Sequence, residues 1–279
     1  MTVDERTIDA GGVRFFMRES GAGDPILLLH GFPQTGECWR RVAELLSETH
    51  RVIVPDLPGF GRSSAPPAYD AGSVATMLAD FLDAAGAKSA TVVGHDWGGS
   101  LAFALALEHP ERVDKLIVSN APFRKLDLRR GFHFLAFNLP VLPEMAFRFA
   151  GDRLVPFMLR AGSARKEAFG DEAVRPYVDA FRDPAAVRSA LAYYRTVTRK
   201  VIARRFRPKG APSTARRIEA PTLLVWGMRD PALPPSILQG ILHDIPQATA
   251  VRLRDVGHFV PDEAPKELAR EIASFLANA

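Results

Sequence analysis

Cysteine is almost missing from this chain. Cys38 is the only one in 279 residues, so no internal disulfide can form and nothing points to an oxidising compartment. Long apolar runs are missing too. No stretch of about 20 apolar residues could span a bilayer, and the greasiest region, Phe132 to Phe149, is broken by Asn138, Pro140, Pro143 and Glu144. The start, Met1-Thr2-Val3-Asp4-Glu5-Arg6, is polar and lacks the apolar core of a signal peptide. These absences lead to the expectation of a cytoplasmic protein without membrane insertion. P-loop, zinc-ligand spacing and aromatic–basic RNA signatures are equally absent, which argues against nucleic acid as a partner and calls for no metal or other cofactor.

The composition that remains is that of a globular protein, 47% hydrophobic and 24% charged. The net charge is only +4, but it is unevenly spread. Phe123 to Arg217 carries 21 Lys and Arg against 8 Asp and Glu, which leaves 15 against 24 elsewhere. The bland account of this basic segment is a solvated, arginine-rich face, although it could also steer anionic ligands.

Short apolar runs alternate with helical patterns, which predicts an α/β fold with a mostly parallel sheet flanked by helices. Buried strands are expected at Ile26–Leu29, Val52–Val54, Thr91–Val93, Lys115–Ser119, Thr222–Trp226 and Ala250–Arg254. Ile8 and Val13–Met17 form an antiparallel lead-in around Gly11-Gly12. Helices are expected over Glu37–Ser47, Ser73–Ala85, Gly99–His109, Pro235–His243 and Pro265–Leu276, with Gly86 and Pro110 as stops. From 122 to 220 strand-like runs vanish. That segment reads as an all-helical insertion between two halves of a core, 1–121 and 221–279. Near its end, Arg204 to Arg217 is loop-like, with Pro208, Gly210, Pro212 and no acid.

Gly94-His95-Asp96-Trp97-Gly98-Gly99 has the outline of a nucleophile elbow, the strand-to-helix turn Gly-x-nucleophile-x-Gly. The commoner central residue is Ser; here it is Asp96. A Ser that attacks a saturated carbon leaves an ether, which water cannot readily cleave. A carboxylate leaves an ester, which water hydrolyses. The elbow therefore implies opening of C–O or C–halogen bonds at sp3 carbon through an alkyl ester on the enzyme. A carboxylate with a pKa of about 4 is already ionised at neutral pH, so a base is needed only later, for the water that cleaves the ester.

His258, in Gly257-His258 just past the last expected strand, is the candidate base among seven histidines. Asp230, directly after the penultimate strand, is its candidate orienting carboxylate, because open α/β sheets place their sites at the carboxyl ends of strands. Asp230 could instead be a turn residue ahead of Pro231, and Asp255 is the nearest competitor. Ester hydrolysis passes through an oxyanion that needs two donors. The expected pair is the backbone N–H of Trp97 and that of Phe32, in His30-Gly31-Phe32-Pro33. His30 is expected to brace that turn.

Together these motifs, with Asp56-Leu57-Pro58-Gly59-Phe60-Gly61-Arg62-Ser63-Ser64 and Trp226-Gly227-Met228-Arg229-Asp230, resemble the α/β-hydrolase superfamily in its epoxide hydrolase and haloalkane dehalogenase branch. The order nucleophile, acid, histidine is that superfamily's order. The resemblance implies that the insertion is a helical cap. It also implies two cap tyrosines holding the epoxide oxygen, the second within a Tyr-Tyr-Arg triplet. Here the triplet is Tyr193-Tyr194-Arg195, which marks Tyr194. Helical spacing alone does not separate the two tyrosines. The first tyrosine normally precedes a Phe-Gln-x-Pro run by four residues. Counting back from Phe137-Asn138-Leu139-Pro140 gives His133, an imidazole that can also donate.

The resemblance thus implies an epoxide hydrolase acting on a small apolar epoxide, with Trp97, Phe32, Phe137 and Tyr193 against the substrate, as a monomer or homodimer. A dehalogenase would hold its halide with the Trp97 indole and a second N–H. That second donor is missing, because Phe32 follows His30-Gly31 and the three tryptophans, Trp39, Trp97 and Trp226, all lie outside the cap. Haloacetate dehalogenases place Arg after the nucleophile, where Trp97 stands. A ligand-binding protein that merely keeps the fold would not need a full nucleophile, acid and base.

Overall fold

The computed structural model describes residues 3–123, 132–205 and 216–278. Eight strands form one sheet: β1 (Asp4–Ala10), β2 (Val13–Ser20), β3 (Pro25–Leu29), β4 (Arg51–Pro55), β5 (Ala90–His95), β6 (Val113–Ser119), β7 (Thr222–Gly227) and β8 (Thr249–Leu253). Their spatial order is β1-β2-β4-β3-β5-β6-β7-β8. β1 and β2 pair antiparallel, β2 joins β4 antiparallel, and every later pairing is parallel. The continuous apolar runs of the central strands follow from burial on both faces; all six residues of β5 and of β7 are buried.

Helices α1 (Arg40–Leu46), α2 (Ala71–Ala84) and α3 (Trp97–Glu108) alternate with the first strands, and a 3₁₀ turn at Gly36–Trp39 leads into α1. Between β6 and β7 come α4 (Phe132–Asn138), α5 (Leu142–Gly162), α6 (Asp171–Ala180) and α7 (Pro184–Arg205), with no strand among the described residues of that interval. The chain ends with α8 (Pro235–Asp244), the single turn α9 (Val260–Glu263) and α10 (Pro265–Asn278). α2 and α3 pack on each other against β1, β3, β5 and β6, while α1 and α10 pair against β4 and β7. The sheet is thus covered by two helical layers around one core.

Two expectations need correction. The last strand is not buried: Ala250, Val251 and Leu253 are only half-buried and Thr249 and Arg252 are exposed, because β8 is the sheet edge with a single neighbour. The helix after the elbow starts at Trp97, two residues earlier than periodicity suggested. The loop expected over Arg204–Arg217 lies largely outside the described residues, and Arg204 and Arg205 belong to α7. No helix among the described residues is long and apolar enough to cross a membrane.

The α4–α7 helices are fastened to the sheet by polar ties. Tyr193 donates to the Pro58 carbonyl at 3.1 Å, Tyr69 and Ser189 share a hydrogen bond of 3.0 Å, and Lys200 meets Asp70 at 3.0 Å. These ties join α7 to the connection between β4 and α2.

Candidate active site

β5 delivers Asp96 at its carboxyl end, and α3 begins on the next residue. The turn is sharp enough that Asp96 adopts φ 52° and ψ −117°. Such a conformation costs a non-glycine residue about 1–3 kcal/mol. Neighbouring contacts offset it: the Asp96 carbonyl accepts from the Ser100 amide at 3.0 Å, and its carboxylate Oδ1 accepts from the Phe32 amide at 2.9 Å. The Phe32 amide comes from the loop after β3, so two adjacent parallel strands converge on one carboxylate.

His258 follows β8 and points Nε2 toward Asp96 Oδ2 at 3.5 Å, an ion-pair distance rather than a tight hydrogen bond. Its Nδ1–H donates to Asp230 Oδ2 at 2.7 Å. Asp230 follows β7 and is 6% exposed. Burying a lone carboxylate costs several kcal/mol, and four donors meet that cost. Oδ2 also accepts from Asn120 Nδ2 at 2.7 Å, while Oδ1 accepts from the amides of Ala232 and Leu233 at 2.7 and 2.9 Å. The turn reading and the orienting reading of Asp230 therefore both hold, one on each oxygen. The competitor Asp255 pairs at the surface with Arg229, 3.3 Å away.

Asn120 was not visible in the sequence argument. It directly follows β6, takes a φ of 40°, and locks both Asp230 and the Gly227 backbone, accepting from the Gly227 amide at 2.7 Å. Its signal was positional: a polar residue directly after a buried strand, on the same sheet edge as Asp96 and Asp230.

The charges are strongly coupled. Burial opposes ionisation of Asp96, but the His258 imidazole and the Phe32 amide together hold its carboxyl below the ordinary value. Asp230 is also held low, against burial, by His258 and its other donors. Burial alone would lower His258, yet the Asp230 and Asp96 carboxylates override it and lift the imidazole to about 10. His95, beneath His258 with ring centroids 5.0 Å apart, is pushed by burial down to about 3 and is neutral. His30 is buried as well and shifted down by burial. Its Nε2 accepts from the Leu57 amide at 2.9 Å and its Nδ1 lies 3.0 Å from the Gly31 carbonyl, so it braces the loop that carries Phe32.

Above Asp96 the α4–α7 helices supply aromatic rings. Tyr194 of α7 packs edge-on against Trp97 (5.1 Å between centroids), Phe32 (5.4 Å) and Phe137 (5.0 Å). Its ring thus lies against the indole of the residue that follows Asp96. Burial, reinforced by the Asp96 charge, raises the Tyr194 hydroxyl well above its ordinary value and keeps it protonated. Tyr193 behaves differently. Its ring touches Trp97 (5.6 Å) and Phe60 (5.5 Å), but its hydroxyl is spent on the Pro58 carbonyl. The structure thus separates the two tyrosines that helical spacing left equivalent. Phe137 and Phe32 stack edge to face at 5.6 Å. His133 falls on α4, but its side chain lies outside the described residues.

Asp96, His258 and Asp230 stand in line at the carboxyl ends of β5, β8 and β7, under an aromatic roof. Known proteins share this frame. Residues 24–265 match the family described as the alpha/beta hydrolase fold. The chain belongs to the α/β-hydrolase family. Within this α/β-hydrolase group, it is 31% identical to epoxide hydrolase 4 of Mus musculus over 242 residues, 80% of this chain and 65% of the mouse protein. It thus spans slightly less than two thirds of that relative. It is 30% identical to haloalkane dehalogenase 2 of Mycobacterium tuberculosis over 280 residues, 96% of this chain and 93% of that protein. A solved structure of a candidate epoxide hydrolase from Pseudomonas aeruginosa superposes with a TM-score of 0.84 at 26% identity, covering 99% of this chain and 95% of that one. The chain is accordingly an α/β-hydrolase of the epoxide hydrolase and haloalkane dehalogenase branch.

Proposed function

We propose that the protein hydrolyses small apolar epoxides to vicinal diols through an ester on Asp96. In the first step Asp96 Oδ2 attacks an epoxide carbon and the carbon–oxygen bond of the ring breaks. Tyr194 donates its hydroxyl proton toward the departing oxygen. Oδ1 stays in the hydrogen bond from Phe32 and becomes the ester carbonyl. In the second step His258 Nε2 takes a proton from water, whose oxygen attacks the Asp96 carboxyl carbon. The negative charge lands on the oxygen already held by Phe32, with the Trp97 amide at the start of α3 as second donor. The tetrahedral intermediate then collapses: the departing diol oxygen takes the proton from the His258 imidazolium, and the water's second proton passes from the new Asp96 carboxyl to the Tyr194 phenolate, which regenerates the carboxylate and the phenol. Asp230 keeps the imidazole oriented and supports its positive charge. No metal or organic cofactor enters.

The observation that carries this reading is Tyr194, whose ring packs edge-on against Trp97 and Phe32 beside Asp96 and whose hydroxyl is held protonated by burial and the Asp96 charge. An epoxide oxygen leaves as a strongly basic alkoxide and needs such a donor; a halide does not. His133, four residues before Phe137, is the sequence's candidate for a second donor, and a His133→Phe variant with an unchanged alkylation rate at all pH values would remove it.

Haloalkane dehalogenation is the second reading, favoured by the mycobacterial relative and by the Trp97 indole. It is disfavoured because neither Trp39 nor Trp226, both fully buried in the core, can add a second N–H donor beside the Trp97 indole. Matched pairs of epoxides and bromoalkanes decide between them. Diol formation without bromide release supports the epoxide reading, and bromide release without diol overturns it.

A further inference from the structure

Glu263 takes no part in the chemistry above, yet its side chain is engaged more fully than any role in α9 requires. It is 5% exposed and ends the single turn that follows His258. Its carboxylate folds back on the chain. Oε2 accepts from the Gly257 amide at 2.9 Å, and Oε1 accepts from the Phe259 amide at 3.0 Å. These are the two neighbours of His258. Oε2 also accepts from the amides of Ala164 and Arg165, both at 2.9 Å, at the end of α5. The same junction is closed by the His258 amide, which donates to the Gly162 carbonyl at 2.8 Å. One carboxylate therefore grips the catalytic loop on both sides of its histidine and ties it to the helices above.

The residue type follows from the donors. Four backbone N–H groups converge on one side chain, and they occupy both of its oxygens. A carboxylate accepts on both; a glutamine would turn an NH2 group toward one of these amides. No side-chain cation pairs with this carboxylate among the described ion pairs, so the amides alone compensate its burial. Tolerances are tight. A methyl group on Gly257 would lie 2.5 Å from the Ala164 nitrogen and 2.9 Å from Glu263 Oε1.

We propose that Glu263 is a positioning residue that sets the His258 imidazole between Asp96 and Asp230, and that it makes this placement depend on the seating of the Gly162–Arg165 segment. The consequence for turnover rests on the reading of His258 as the base for ester hydrolysis. Under that reading Glu263 governs the second step and not the first, because attack by Asp96 needs no base.

The test uses the full chain with Glu263→Gln, a near-isosteric change, and with Gly257→Ala, which keeps the carboxylate but wedges the α5 end away from it. Nitrogen-15 NMR of the histidine rings reads the His258 titration and its Nδ1–H resonance. Single-turnover kinetics with an aryl epoxide read ester formation and ester hydrolysis separately. In both variants the His258 titration moves down and the Nδ1–H signal loses its protection from exchange. Ester hydrolysis slows about 100-fold, as expected for a catalytic group misplaced by about 1 Å, while ester formation stays within about threefold. Variants that only lower the Tm, with His258 resonances and the ratio of the two rates unchanged, overturn the proposal and leave Glu263 a structural residue. If either variant fails to fold, the other decides alone. If the His258 signals move but neither the parent nor the variants ever form an ester, the positioning role stands and the proposed reaction falls.

Discussion

At the scale of single residues, Asp230 shows why the site works as a unit. Its two oxygens do separate jobs: Oδ1 closes a turn through two amides, and Oδ2 orients His258 with Asn120 beside it. Removing Asn120 leaves a buried carboxylate one charge-assisted hydrogen bond short, a loss of about 1.5–3 kcal/mol. Asn120→Ala is accordingly expected to slow ester hydrolysis roughly tenfold or more, with ester formation little changed in the same single-turnover traces. Tyr194→Phe should do the reverse. Loss of this donor to the leaving oxygen is expected to cut ester formation by about 10²–10³ and to spare hydrolysis of a preformed ester. The His258 charge gives a pH prediction. Asp230 and Asp96 together hold the imidazole up to about 10 in the resting protein. Alkylation neutralises Asp96 and removes one of those two anions, so the imidazole loses its proton more easily in the ester. Ester hydrolysis should rise with pH through an inflection well below the His258 titration of the free protein; an inflection at or above it would contradict the coupling.

At the scale of elements, the core was legible because its boundaries carry chemistry. Pro110 and Gly86 mark helix ends, apolar runs mark the buried parallel strands, and Gly11-Gly12 marks the β1–β2 turn. Errors came where tertiary demands override propensity. The pattern puts the start of α3 at Gly99, whereas the chain turns helical at Trp97; Gly98 is there for packing, since a Cβ on it would stand 2.1 Å from the Leu29 carbonyl oxygen. The polar chemistry of α9 was equally hidden, since the partners that tie it to other elements lie 85 to 228 residues away in sequence. Asp262 accepts from Gln34 Nε2 at 2.5 Å and from the Tyr177 hydroxyl at 3.1 Å, joining α6 to the loop that carries Phe32. Burial lifts its carboxyl to about 7 despite those donors. A carboxyl whose folded value lies above its unfolded one contributes stability below the unfolded value, lost as pH rises through the folded one. Asp262 should therefore weaken the fold between about pH 4 and pH 7. Asp262→Asn is expected to gain Tm relative to the parent as pH rises from 5 to 8, by a few degrees for each kcal/mol recovered. A difference in Tm that does not vary with pH would contradict this.

At the scale of the whole molecule, the sheet edge and the α4–α7 helices each hold half of the site. The sheet presents Asp96, His258, Asp230 and the Phe32 amide; α7 presents Tyr194. The line of Asp96, Asp230 and His258 was readable from the sequence because each lies within a few residues of a strand's carboxyl end, whereas the separation of Tyr193 from Tyr194 needed the Pro58 carbonyl, which only the folded chain brings near. The central claim is that one aspartyl carboxylate is alkylated and then rebuilt by water. It is tested most directly by a single turnover of an epoxide in oxygen-18 water with excess enzyme, followed by mass analysis of the Asp96 peptide and the diol. The account predicts one heavy oxygen in the Asp96 carboxyl and none in the first diol released. Heavy oxygen in that diol, with an unlabelled Asp96, would contradict it.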